Sequence, residues 1–142
     1  LKNHLKLSGK NIFLLGAGGA SRAIVFGLMR AHAKVTIMNR SFDRAAKLAA
    51  LFDCKALALS DVNRLEKTHY DIVINALPAA AHIETNTLKA IKASLKPDAW
   101  LMDITHSKDS PWSELVNPDH MLYYDSMFIG QALLQRRFWG FE

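Results

Sequence analysis

A short apolar run, Asn11-Ile12-Phe13-Leu14-Leu15, ends in the glycine turn Gly16-Ala17-Gly18-Gly19-Ala20, and Ser21-Arg22-Ala23 then opens a helical pattern. A strand that feeds a helix through such a turn is the phosphate-cradling element of a dinucleotide-binding fold. In that reading Gly16 makes the tight turn and Gly18 lets backbone approach a pyrophosphate, while the first N–H groups of the helix face the negative charge. Ser21 stands at the third position, where Gly or Ala is usual.

Downstream the pattern alternates. Helical spacing of Ile24, Leu28 and Ala31 predicts a helix over 20–31, followed by a strand over 34–38 and a helix over 42–52 behind a Ser41 cap. A short strand over 56–59 leads to a brief helix capped by Ser60 or Asp61. The apolar run 70–76 reads as a strand buried on both faces. A helix over 86–94 is expected to stop at Pro97, and strands over 99–104 and 121–124 and a helix over 126–139 complete the chain. Strands separated by helices imply a parallel, doubly wound α/β sheet of the Rossmann type. Ligands of such sheets sit beyond the carboxyl ends of the strands, so the loops after residues 15, 38, 75 and 104 should line one crevice.

With 142 residues, half of them hydrophobic, the chain fits one domain over 1–142 that buries roughly two thirds of its unfolded surface. The net charge of +5 favours anionic ligands, but the cations are scattered and not interleaved with aromatics, which argues against nucleic acid. Cys54 is the single cysteine and reads as a small packing residue; a soluble, cytoplasmic protein with no membrane segment is expected. His4, His32, His69, His82 and His120 lack metal-ligand spacing, so no metal site is expected. The chain begins with Leu1, at what looks like the end of an amphipathic segment, which suggests a piece of a longer protein.

At the end of the second strand, where an NAD site places an acidic residue, this chain has Asn39, followed by Arg40, Ser41 and Arg44. Two guanidiniums and a hydroxyl suit a 2′-phosphate, which points to NADP. The competing reading leaves both arginines in solvent, with Asp43 paired to one of them.

Together with 71–76 and a closing Met127-Phe128-Ile129-Gly130-Gln131-Ala132, these motifs make the chain resemble the NADP-binding C-terminal domain of the shikimate/quinate dehydrogenase family. The resemblance implies reversible NADPH-dependent reduction of 3-dehydroshikimate, a step of aromatic amino acid biosynthesis. It implies that Gly16, Ala17, Gly18, Gly19 and Ala20 hold the pyrophosphate and that Asn39, Arg40, Ser41 and Arg44 hold the adenosine 2′-phosphate. Asn75, Ala76, Leu77 and Ile104 would flank the nicotinamide ribose and ring, with Tyr124 and Met127 as further cofactor contacts. His106 and Gln131 would bind a shikimate-like hydroxy acid.

Several positions depart from the family pattern. Leu77-Pro78-Ala79-Ala80-Ala81 lacks the usual hydroxyls, His106 replaces a tyrosine, and Tyr124-Asp125-Ser126 replaces a Gly-x-Gly. The family's catalytic Lys and Asp belong to an N-terminal substrate domain absent from these residues, so no catalytic residue is expected here. Lys108 with Asp109, or His106 as proton donor, are weaker candidates, and Ser107 and Ser110 lack a nucleophile elbow. A substrate domain of the same protein and a homo-oligomer are the expected partners. Two alternatives stand beside this reading: a non-catalytic NADP-sensing module, and the cofactor domain of a glutamyl-tRNA reductase-like enzyme.

Overall fold

The first strand, β1 (Asn11–Leu15), is apolar at every position after Asn11 because it lies mid-sheet with both faces covered. In the computed structural model, which describes residues 6–78, 80–104 and 110–123, Ile12, Phe13, Leu14 and Leu15 are at most 1% exposed. Burial of side chains this size contributes roughly 1.5–3 kcal/mol each.

The strands β1, β2 (Lys34–Asn39), β3 (Lys55–Ala58), β4 (Tyr70–Asn75), β5 (Leu95–Asp103) and β6 (Met121–Tyr123) form one sheet in the order β3-β2-β1-β4-β5-β6. All five pairings are parallel. Alternate residues of β1 serve opposite layers. Ile12 and Leu14 pack with Val25 and Leu28 of α1 (Gly19–Arg30) and with Ala45, Leu48 and Ala49 of α2 (Phe42–Phe52). Phe13 and Leu15 face Ile91 of α3 (Thr85–Ser94), together with Trp112 and Leu115. The fold is therefore the doubly wound α/β sheet expected from the sequence. The chain order reverses direction between β1 and β4, the switch point at which such sheets bind ligands.

Local details differ from the expectations. Ser60 and Asp61 do not cap a helix; they lie within a 3-10 segment, Leu59–Arg64, whose N-cap position is Ala58. Ser41 occupies the N-cap of α2, yet its side chain accepts no capping hydrogen bond. Pro97 does not separate α3 from the next strand. It sits inside β5, where a bulge lets the step from Tyr70 to Ile72 on β4 face the step from Leu95 to Trp100, a place that tolerates the missing N–H. Tyr124, Met127, Gln131, His106, Lys108, Asp109 and the expected helix over 126–139 lie outside the described residues. Among the described residues no helix is long and apolar enough to cross a membrane, and no group of three or more His, Cys, Asp or Glu could hold a metal ion.

The amino end of the sheet, opposite the ligand side, is tied by Asp71. Its Oδ2 accepts the Asn11 N–H at 2.9 Å, and its Oδ1 lies 2.8 Å from Lys96 Nζ and 3.9 Å from Lys10 Nζ. Burial alone would raise this carboxyl. The Lys96 and Asn11 hydrogen bonds and the charges of Lys96 and Lys10 outweigh it and hold the group below the usual carboxylate range. A folded value below the unfolded one, about 3.9, means the stabilisation is present above about pH 4 and disappears as pH falls through the folded value. Asp71→Asn is therefore expected to lower stability at pH 7 by about 1–2 kcal/mol, and the gap between urea melts of variant and native protein should begin to close only below about pH 4, as pH falls towards the lowered value.

Candidate functional site

The glycine turn reaches its shape through one residue above all. Gly16 has φ of 108°, and a Cβ placed there would lie 3.0 Å from both the carbonyl carbon and oxygen of Ala76. Only a residue without a side chain satisfies both conditions. The Gly16 N–H donates to Met38 O at 2.8 Å and the Ala76 N–H to Leu15 O at 2.8 Å, so the carboxyl ends of β2, β1 and β4 are stitched together.

Gly18 and Gly19 are of another kind. A Cβ at either would meet nothing within 4 Å, and their backbone faces open space. Gly18 is the N-cap of α1, which has no side-chain cap and no acidic residue in its first turn. The positive end of the helix is thus left to an external anion, as a diphosphate requires. Ser21, at the third small position, is completely buried against the sheet and its Oγ finds no hydrogen-bond partner among the described residues. Removing an unsatisfied buried hydroxyl and gaining helix propensity should make Ser21→Ala more stable by about 1 kcal/mol, readable as a higher midpoint in urea.

Beyond β2, the Asn39 Nδ2 donates to Ser41 O at 3.1 Å and fixes the turn into α2. Arg40, Ser41 and Arg44 are exposed, and Asp43 forms no ion pair with either arginine among the described residues. The two arginines do not line one cavity. Arg44 joins Ala17, Gly18, Gly19, Arg22 and Lys47 around a cleft of about 320 Å3 between α1 and α2. Arg40 lines a larger cleft of about 570 Å3, walled by Leu59, Ser60, Asn63, His82 and Thr87.

At the ends of β4 and β5 lies a buried polar joint. Asn75 and Asp103 are each 1% exposed. The Asn75 Nδ2 donates to Asp103 Oδ1 at 3.2 Å, while Asn75 Oδ1 accepts the Leu77 N–H at 3.2 Å. The Ile104 N–H donates to Asn75 O at 3.1 Å. One side chain thereby orients Leu77 and one backbone carbonyl positions Ile104, both expected beside the nicotinamide. Sequence reasoning did not single out Asp103; a carboxylate closing the apolar run 99–104 was the available signal. Arg22 and Lys47 were also missed, although Lys47 follows Arg44 at helical spacing.

Uncapped helix start, open glycine backbone and unpaired cations together fit a dinucleotide carrying several phosphates. The sequence model of the family described as Shikimate / quinate 5-dehydrogenase matches residues 1–111. A relative named shikimate dehydrogenase (NADP(+)) from Methanococcus maripaludis is 34% identical over 110 residues, covering 74% of this chain and 39% of its own length. Among solved structures, shikimate dehydrogenase from Aquifex aeolicus superposes with a TM-score of 0.71 at 23% identity, covering 97% of this chain and 51% of that one. The Thermus thermophilus shikimate 5-dehydrogenase in complex with NADP(H) and shikimate gives 0.66 at 22% identity, covering 97% of this chain and 51% of that one. The chain thus spans 39% to 51% of the length of these three proteins.

Proposed function

The chain belongs to the shikimate/quinate 5-dehydrogenase family, and we propose that it is the NADP-binding part of an oxidoreductase that interconverts 3-dehydroshikimate and shikimate. The observation that carries the reading is the uncapped start of α1 beside a cleft lined by Arg44. Gly16 to Ala20 would hold the pyrophosphate, Asn39 to Arg44 the adenosine 2′-phosphate, and Asn75 to Leu77 with Ile104 the nicotinamide ribose. When bound, NADPH supplies a hydride to a ring ketone. This chain's own contribution is positional: backbone N–H groups bind the diphosphate, and the Asn75 joint holds Leu77 and Ile104 in register. Tyr124 and Met127 belong to the same proposed cofactor contacts, and His106 and Gln131 to the substrate side. The proton donor for the developing alkoxide is proposed to come from a Lys and Asp pair of a separate substrate-binding domain.

Charge-assisted hydrogen bonds contribute about 1.5–3 kcal/mol each, so NADP should bind more than tenfold tighter than NAD. Calorimetric titration of both nucleotides against native protein and Arg44→Ala tests this; equal affinities in the native protein would remove the reading. Residues 1–142 assayed alone should oxidise shikimate slowly or not at all, and a rate like that of a complete enzyme would place the acid and base inside them. The apolar Leu77-Pro78 beyond β4 favours a second reading, an NADP-binding module without catalysis. A whole protein that binds NADP yet fails to reduce 3-dehydroshikimate would select it.

A further inference from the structure

We infer that Arg22 and Lys47 act with Arg44 as specificity-determining residues, three cations that seat a phosphate monoester dianion in the cleft between α1 and α2. The inference deepens the NADP reading above and rests on it: the dianion is the 2′-phosphate.

The three side chains come from two helices and converge on one cavity of about 320 Å3 whose floor is the glycine turn. Arg44 and Lys47 are three residues apart on α2 and so share a face, and Arg22 projects from the first turns of α1. None of the three forms an ion pair among the described residues, and Asp43, the one carboxylate in the first turn of α2, takes up neither Arg44 nor Lys47. Three like charges around one cleft repel each other, and the uncapped positive end of α1 adds a fourth contribution of the same sign. An anion is the partner that turns this arrangement from unfavourable to favourable. Leu48 and the exposed Leu51 form the apolar side of the cleft.

Arg40 lines the neighbouring, larger cleft with Ser60, Asn63 and His82, so Arg22 and Lys47 add to Arg44 from a side of the site that Arg40 does not line.

The test is calorimetric titration of NADP, NAD, 2′,5′-ADP and 5′-ADP against native protein, Lys47→Ala, Arg22→Ala and Lys47→Arg. Each alanine variant should weaken NADP and 2′,5′-ADP by about tenfold while leaving NAD and 5′-ADP unchanged, and Lys47→Arg should retain native affinity. All three side chains are exposed, so melting temperatures should match the native protein and confirm intact folding. Equal losses for all four nucleotides, or no loss for NADP, overturn the inference while leaving the NADP reading in place. Native protein that binds NADP no tighter than NAD overturns both.

Discussion

Gly16→Ala should destabilise the protein more than the same change at Gly18 or Gly19. The added Cβ meets the Ala76 carbonyl carbon and oxygen at 3.0 Å, and both are backbone atoms that a rotamer change cannot move aside. The φ of 108° adds conformational strain that an alanine cannot relax without breaking the Gly16 N–H bond to Met38 O. Strain in such a region costs about 1–3 kcal/mol and overpacking about 1–3 kcal/mol more. With each kcal/mol worth roughly 2–8 °C in domains of this size range, the melting temperature should fall by ten degrees or more. Gly18→Ala provides the control. Its Cβ enters open space, so the protein without nucleotide should keep its stability, while NADP binding should weaken because the methyl would occupy the proposed diphosphate site. A Gly16→Ala protein that melts like the native one would show that the turn relaxes, and a Gly18→Ala protein with native affinity would move the diphosphate elsewhere.

That division between two glycines of one motif marks how far the sequence could be read. β1, β2, α1 and α2 were legible because their apolar residues recur at strand or helix spacing over several residues, which only one local structure satisfies. The start of β5 was not. Pro97 reads locally as a break, and only the bulge against Tyr70 and Ile72 makes it compatible with a strand. Capping at Ser41, Ser60 and Asp61 also failed, because a hydroxyl or carboxylate near a helix start has solvent and other backbone groups to choose from. In the candidate site, Arg40 and Arg44 are expected from the sequence to serve one phosphate, as two guanidiniums at the start of a helix. Helical spacing does not govern that pair: Arg40 precedes the N-cap Ser41, so only Arg44 rides on α2, where it meets Lys47. Pairings between separate elements, such as Arg22 with Lys47 or Asn75 with Asp103, leave no periodic trace and come into view only when the sheet order is known.

The Asn75 joint yields the second large effect, because its side chain serves two partners at once. Asn75→Ala removes the donor to Asp103 Oδ1 and the acceptor for the Leu77 N–H in a region that is almost fully buried. A hydrogen bond of this kind contributes about 0.5–1.5 kcal/mol net, so losing both should cost roughly 1–3 kcal/mol in urea denaturation at pH 7. Asn75→Asp sharpens the argument. It keeps the shape but sets a carboxyl about where the amide donated, and burial beside another acidic side chain raises the pKa of the introduced group. A carboxyl whose folded value rises above its unfolded value destabilises progressively as pH climbs from about 4 towards that raised value. The Asp variant should therefore approach native stability near pH 4 and fall well behind it at pH 7, whereas the Ala variant should show a deficit that changes little over the same range. Parallel deficits for the two variants across pH would show that the side chain at position 75 does not face the Asp103 carboxyl. A pH-dependent gap would establish that it does, and that the joint tying the turn at Leu77 to the end of β5 runs through Asn75.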